Sequence, residues 1–342
     1  MDITVGDSSQ IVEGLVTTII PVYNRPEMLR QAMESVLAQT WQSIEIIIGD
    51  DGSTDATPEV ARQYESDYPN VVRYLWNPHR GAGLAREAGR QRARGEFIQY
   101  LDSDDTLWPR KFEVQIKALR QRPDCGAAYG FIRLCPEGQK PKEKPHKWSG
   151  RALPTLFPWL LVDRWWNTDS PLWRRSVCNA IGPWSDLRFS QDWEYDARAG
   201  GLGMRLAHCA EFVCDQHLHE ETRQTGSGKW LSPSDRVRFL TTLFDSGTKA
   251  GVEHTAPEMQ HFVRWVFKNV RECGILGDGK AASDLMALAV KANRRTTMEM
   301  RLYQLLARAA GWEHAARIVE RSRSLLGRRA GRHTHDLSHR SR

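Results

Sequence analysis

Short apolar runs, each followed by a polar loop and then an amphipathic stretch, pattern the first third of the chain. Val16-Thr17-Thr18-Ile19-Ile20 is β-branched throughout and suits a central parallel strand. It breaks at Pro21-Val22-Tyr23-Asn24-Arg25, and Pro26 opens a helix with Leu29, Met33, Val36 and Leu37 on one face. Ile44 to Ile48 is the next strand and ends in Gly49-Asp50-Asp51-Gly52-Ser53-Thr54-Asp55, ahead of a helix from about Pro58 to Tyr64. Val71 to Leu75 is a third strand. The loop Asn77-Pro78-His79-Arg80-Gly81-Ala82-Gly83 leads into a helix to about Arg94. Phe97 to Leu101 is a fourth strand, delivering Asp102-Ser103-Asp104-Asp105, and a helix from Pro109 to Arg120 precedes a strand from Cys125 to Leu134.

Strands alternating with helices predict an α/β fold, a mostly parallel sheet flanked by helices on both faces. The loops after the strands then gather along one sheet edge, where such sheets bind ligands. That edge holds Asp51, Arg80, Asp102 and Asp104. Beyond residue 135 the pattern changes. Pro136 to Trp148 is polar and proline-rich, a surface loop, and seven of the 13 tryptophans crowd the stretch from Trp148 to Trp193. Aromatic faces pack on sugar rings as well as in cores, and the core reading leads for most of them. From Ser234 onward the pattern is helical. One helix from Pro257 carries Phe262, Val263, Val266, Phe267 and Val270 on one side; another carries Met298, Leu302, Leu305 and Leu306; a last carries Ala315, Ala316, Ile318 and Val319.

The 342 residues exceed one ordinary core, so a large domain with a smaller appendage is expected. The expected division is a polar leader at 1–13, a main domain at 14–230 (halves 14–135 and 136–230), a helical region at 231–320 and a basic tail at 321–342. The leader lacks the basic start and apolar core of a secretory signal. Six cysteines without a Cys-x-x-Cys read as reduced thiols, neither a zinc site nor a disulfide framework. No apolar run approaches a membrane span. The expected location is cytoplasmic. The net charge of +6 sits in the arginine-rich tail, leaving residues 1–320 formally neutral, so the high pI does not argue for nucleic-acid binding. The tail itself reads either as a solvated, disordered end or as a contact with an anionic membrane surface.

The acidic segment carries the first chemistry. Three carboxylates within four residues repel one another, and a hard divalent cation, Mg²⁺ or Mn²⁺, relieves that repulsion; a solvated acidic turn is the plainer reading. The first βα turn has no Gly-x-Gly-x-x-Gly and the chain has no P-loop, so a phosphate-bearing ligand needs the metal and a base such as Arg80. A second acidic group lies at Gln191-Asp192-Trp193-Glu194-Tyr195-Asp196. Asp192 is a helix N-cap or a catalytic base, and Asp196, four residues on, shares its helix face. His217 and His219, two apart after a strand-like run, share one face; metal ligand, phosphate contact and plain surface residue are all open for them.

Four motifs together, Ile19-Ile20-Pro21-Val22-Tyr23-Asn24, Asp50-Asp51-Gly52-Ser53-Thr54-Asp55, Gly81-Ala82-Gly83-Leu84-Ala85-Arg86 and Leu101-Asp102-Ser103-Asp104-Asp105, resemble the family 2 glycosyltransferases. Their order and spacing match across residues 16–135, the region from Trp173-Arg174-Arg175 to Asp192 resembles the acceptor half of the same domain, and the helical remainder lies outside the resemblance. The resemblance implies a GT-A fold, a nucleotide-diphospho-sugar donor (UDP-sugar favoured), a glycan or lipid-linked acceptor and inversion at the anomeric carbon, in bacterial-type cell-surface polysaccharide synthesis. It implies that Pro21 and Tyr23 line the nucleobase pocket, that Asp51 accepts from a base N–H, and that Asn24, Arg80, Asp102 and Ser103 join the nucleotide-sugar site. Asp104, with Asp102, is the implied Mn²⁺ or Mg²⁺ ligand of an Asp-x-Asp motif, with His219 as a further candidate ligand, and Asp192 is the implied base. Two positions depart from the family: Glu87 stands where it often has Asn, and Gln191-Asp192 where it often has Glu-Asp. A sugar nucleotidyltransferase would want a basic, Gly-rich start near the first strand, which is missing. A non-catalytic carbohydrate- or partner-binding protein on the same fold is the other alternative, and the intact Asp104 and Asp192 argue against it.

Overall fold

The computed structural model describes residues 11–219 and 231–329, with side chains described as far as 320. Most of the polar leader and residues 330–342 of the basic tail therefore lie outside the described residues, while the first nine residues of the tail, expected as a disordered or membrane-touching end, are helical as far as Arg329. Helices and strands alternate as the pattern predicts: β1 (Val12–Val22), α1 (Pro26–Leu37), β2 (Ile44–Asp50), α2 (Thr57–Asp67), β3 (Val72–Trp76), α3 (Ala82–Arg92) and β4 (Gly95–Tyr100). β1 begins at Val12 rather than Val16 because its amide donates to the Arg94 carbonyl (2.9 Å), and the amide of Gly14 donates to Glu96 Oε2 (2.8 Å). The strand thus takes in the last two residues of the expected leader. Next come β5 (Thr106–Leu107), α4 (Lys111–Gln121), β6 (Cys125–Pro136), a 3₁₀ turn at Trp159–Leu161, β7 (Leu172–Arg174), α5 (Arg175–Ile181), α6 (Gln191–Gly201) and β8 (Arg205–Leu218). α4 starts two residues after Pro109 because Thr106 and Leu107 pair with Asp215 and Cys214 of β8 before the chain turns.

These strands make one eight-stranded sheet in the order β3-β2-β1-β4-β7-β6-β8-β5. The first four are mutually parallel, with Ile20 opposite Ile48, Asp50 opposite Trp76 and Ile19 opposite Tyr100. Their carboxyl ends therefore lie side by side and place the four motif loops on one edge. The other half is mixed: β7 runs antiparallel between β4 and β6, and β6 pairs parallel with β8. Val16, Ile19, Ile46, Ile47, Phe97 and Ile98 are fully buried, as strands covered on both faces require. Four of the seven clustered tryptophans, Trp165, Trp166, Trp173 and Trp184, are buried; Trp148, Trp159 and Trp193 are half-buried.

Helices α7 (Pro233–Lys249), α8 (Pro257–Ile275), α9 (Gly279–Asn293), α10 (Met298–Ala310) and α11 (Trp312–Arg329) complete the described chain. Two units divide it, the first holding residues up to 231 with 239–253, the second 232–238 with 254 onward. In the second unit α8 buries Phe262, Val263, Val266, Phe267 and Val270, the face read from the sequence. α10 corrects that reading. Met298, Leu302 and Leu305 are 78%, 61% and 60% exposed, while Met300, Tyr303 and Ala307 are buried. Both sets recur at helical spacing, so periodicity alone cannot choose. The buried set wins because Tyr303 meets Phe267 (5.6 Å between ring centroids) and Trp312 (6.0 Å). Among the described residues no helix is long and apolar enough to cross a membrane.

Candidate active site

The loops after β1, β2 and β3 interlock through side chains that the motifs supply. Asn24 takes φ +51°, its amide donates to Ser53 Oγ (3.0 Å), and its Oδ1 accepts from the Thr54 amide (2.8 Å). Asp50 is buried; its two oxygens accept from the Ser53 amide (2.8 Å) and the Tyr74 hydroxyl (2.7 Å). Asp51, also buried, accepts from the amides of Arg80 (2.8 Å) and Gly81 (2.9 Å) and contacts His79 Nδ1 (3.0 Å). The close packing of this loop on the β2 loop requires Gly52, at φ +79°, where a Cβ would meet the His79 amide at 2.9 Å. Tyr23 stacks on His79 with centroids 4.2 Å apart. Pro21 is buried in β1, Ser103 is buried, and Arg80 is exposed. Asp51 thus shapes the third loop, a role the sequence does not disclose.

The acidic segment divides into an outer and an inner pair. Asp102 and Asp104 are 32% and 27% exposed, and each meets an arginine: Asp102 pairs with Arg86 of α3, Asp104 with Arg25 at 2.7 Å. Arg86 is itself buried, lies over the Trp184 ring at 4.8 Å, and has no partner for Nε and Nη1 among the described residues. Asp105 is buried with Asp169, a residue from the tryptophan-rich stretch. One oxygen each of Asp102, Asp105 and Asp169 lies within 4.8 Å of the others. Asp169 accepts from the Asp102 amide (2.7 Å) and from Asn167 Nδ2 (2.7 Å), while Asp105 accepts from the His217 amide (2.8 Å). Burial and then the neighbouring carboxylates push Asp169 up to about 7 and raise Asp105 well above its ordinary value. Burial and mutual repulsion therefore both favour the protonated form of the inner pair. Beneath it, buried Lys111 donates to the Ser170 carbonyl (2.8 Å), and desolvation lowers its pKa to about 8.

Asp192 does not cap α6. Ser190 is the capping residue and Asp192 sits in the first turn. Its Oδ2 accepts from Arg164 Nη1 (2.6 Å), and Arg164 Nε donates to Asp196 (2.7 Å). Burial alone would raise Asp192, but the guanidinium groups of Arg164 and Arg86 hold it below the usual carboxylate value. Asp102 in turn acts on Arg164. Asp192 and the acidic segment therefore share one electrostatic neighbourhood, although about ninety residues separate them in the chain. Gly83 makes this approach feasible, because a Cβ there would lie 2.4 Å from the Ser185 carbonyl and 3.3 Å from Gln191 Cγ. The departure at Glu87 is absorbed locally. Burial opposes its charge, but two contacts from Arg90 (2.8 Å each) and the Trp184 amide (3.1 Å) keep it ionised. His217 and His219 stack with centroids 6.3 Å apart; His217 meets Thr106 Oγ1 (3.2 Å), and buried His219 Nε2 has no partner among the described residues. Of the three expected metal ligands, Asp102 belongs to the three-carboxylate cluster, while Asp104 and His219 lie outside it.

The sequence reading missed Asp169 and Arg164 and gave Arg25 and Arg86 no role. Asp169 carried a weak signal, the polar run Asn167-Thr168-Asp169-Ser170 between tryptophans. Arg164 carried none.

Comparison with known proteins agrees with this geometry. Residues 17–173 match the model of glycosyl transferase family 2. An uncharacterized glycosyltransferase, YibD, of Escherichia coli is 42% identical over 98 residues, 29% of this chain and 28% of that protein. A second uncharacterized glycosyltransferase, RP339 of Rickettsia prowazekii, is 39% identical over 111 residues, 32% of this chain and 34% of that protein. The chain thus spans about a third or less of the length of these curated relatives. In three dimensions, Staphylococcus aureus TarS 1–349, solved with UDP-GlcNAc, superposes with a TM-score of 0.67 at 17% identity, covering 91% of this chain and 92% of that one. The Pyrobaculum calidifontis mannosyltransferase PcManGT, solved with GDP-Man and Mn²⁺, gives 0.50 at 17% identity, covering 91% and 86%. Motif loops on one sheet edge and the strand order behind them agree with these matches: residues 17–173, just under half of the chain, match glycosyl transferase family 2, and the fold is of the GT-A type.

Proposed function

We propose that the chain is an inverting glycosyltransferase that moves a sugar from a nucleotide-diphospho-sugar to an acceptor hydroxyl. The observation that supports this most is the shared neighbourhood of the outer carboxylates and Asp192. Asp192 is ionised and 28% exposed, next to an edge that presents Tyr23, Asn24, Arg80 and Asp102 over the buried Asp51 and Ser103. An alcohol is a poor nucleophile at neutral pH, so a carboxylate must take its proton as it attacks the anomeric carbon. The bond to the diphosphate breaks in the same displacement, and one displacement inverts the centre. The buried inner pair keeps Asp102 in place, since Asp169 accepts its amide. A uracil N3–H suits Asp51 in place of the half-exposed His79 ring, with Tyr23 stacking on the base, so a UDP-sugar is the favoured donor.

Asp102 belongs to a carboxylate cluster compact enough for a hard divalent cation, and Asp104 is its partly exposed neighbour outside that cluster. The two partly exposed carboxylates already draw positive charge, and the Arg25 guanidinium on Asp104 stands in for it. Asp104 and Asp102 would hold Mn²⁺ or Mg²⁺, with His219 as a further candidate, and such an ion would stabilise charge on the leaving diphosphate. A glycan or lipid-linked acceptor and a cytoplasmic site, with the basic tail touching an anionic membrane face, complete the reading. Its support on that point is the tail's charge alone.

The test is a screen of sugar nucleotides, UDP-GlcNAc and GDP-Man among them, with Mn²⁺ or with EDTA, reading nucleoside diphosphate release. Turnover of a UDP-sugar that EDTA and Asp104→Ala each abolish is expected. A rate indifferent to EDTA would refute the metal role, and binding without turnover of any donor would leave a carbohydrate-binding protein instead.

A further inference from the structure

Asp192 and Asp196 lie one helical turn apart on α6, and a single guanidinium ties them together. Arg164 Nη1 donates to Asp192 Oδ2 (2.6 Å), Nε to Asp196 Oδ2 (2.7 Å) and Nη2 to Thr168 Oγ1 (3.4 Å). Asp196 is only 4% exposed and is held a second time, by Trp166 Nε1 at 2.8 Å, whereas Asp192 is 28% exposed. The arrangement is asymmetric, with a buried anchor, a fork and an accessible end. Buried ion pairs of this kind add little stability, because desolvation offsets the attraction. A fork that spans two carboxylates supplies orientation instead, since its planar N–H groups fix both partners.

Resting on the base reading of Asp192, we infer that Arg164 is its positioning residue, an anchored fork that holds the carboxylate in one orientation and in its ionised form. A free Asp side chain at the start of a helix samples several rotamers; a base held in one place is already in reach of the acceptor proton. The charged groups acting here are known. Arg164 and Arg86 favour the carboxylate, and Lys147, which responds to both acids, adds to them. Asp196 opposes them, being repelled by Asp192 and kept in place by Arg164 and Trp166.

The sign follows directly. Removing the fork withdraws the nearest positive charge from Asp192, so its pKa must rise. The test uses the full chain with ¹³C-carboxyl-labelled aspartate, the Asp192 signal being the one lost in Asp192→Asn. In Arg164→Gln that signal should titrate at higher pH than in the native chain. The acid limb of UDP-GlcNAc consumption should move up with it, and the rate at the plateau should fall about 10- to 100-fold with UDP affinity unchanged. Arg164→Lys guards against misfolding. It returns the charge without the fork, so the titration should go back toward native while the rate stays low. An unshifted Asp192 signal in Arg164→Gln, or a native rate in both variants, would overturn the inference. A native rate in Asp192→Asn would instead remove the base reading beneath it.

Discussion

The two halves of the sheet build the same site by different means. In the parallel half, β1 to β4, Asn24 and Asp51 follow the carboxyl ends of strands, and their partners come from the same or adjoining loops: Asn24 with Ser53 and Thr54, Asp51 with Arg80 and Gly81. In the mixed half, the residues that matter come from irregular chain and meet partners far away. Asp169 reaches the Asp102 amide, and Arg164 reaches α6. The first half is a repeated local device, and the second depends on packing. Residues in the first should therefore tolerate substitution without loss of fold, while those in the second should couple function to stability.

Trp166 marks the packing-dependent half most plainly. It is fully buried, meets Tyr129, Trp165 and Trp173 ring to ring, and donates to Asp196. Trp166→Ala should cost about 3–5 kcal/mol in denaturant unfolding, and Trp166→Phe much less. A loss below about 1 kcal/mol for the alanine variant would break the contrast between the halves, since surface positions alone behave so.

How far this was legible follows the same division. Alternation of apolar runs and loops placed β1 to β4 within a few residues, because β1, β2 and β4 are buried on both faces and read as nearly continuous apolar stretches, while β3, at the sheet edge and half exposed, still stands between two polar loops. Asp51, Asp102 and Asp104 were legible because a strand end announces its own loop. The partners Arg25 and Arg86 stood in the motifs without a visible role, since an ion pair across loops has no spacing of its own. Asp169 and Arg164 were illegible for a stronger reason: irregular chain has no period, and only the fold brings residue 169 to residue 102. α10 shows the remaining limit, with two apolar faces of equal periodicity and tertiary packing choosing between them.

The smallest expected effect tests that last point. Leu302 and Leu305 face solvent, so Leu302→Gln and Leu305→Gln should each change unfolding free energy by about 0.5 kcal/mol or less. Tyr303→Ala, on the buried face beside Trp312, should cost several times more. Equal losses on the two faces would mean that the outward stripe is covered in solution.

The central claim, that Asp192 takes the acceptor proton at an edge that binds the donor independently of it, is tested most directly by measuring rate and donor affinity together in Asp192→Asn. The asparagine keeps the shape and loses the basic oxygen. The rate of sugar release from the UDP-sugar should fall about 10²–10⁴-fold, while UDP binds by calorimetry as tightly as to the native chain. An unchanged rate, or a loss of UDP affinity in step with the rate, would contradict it.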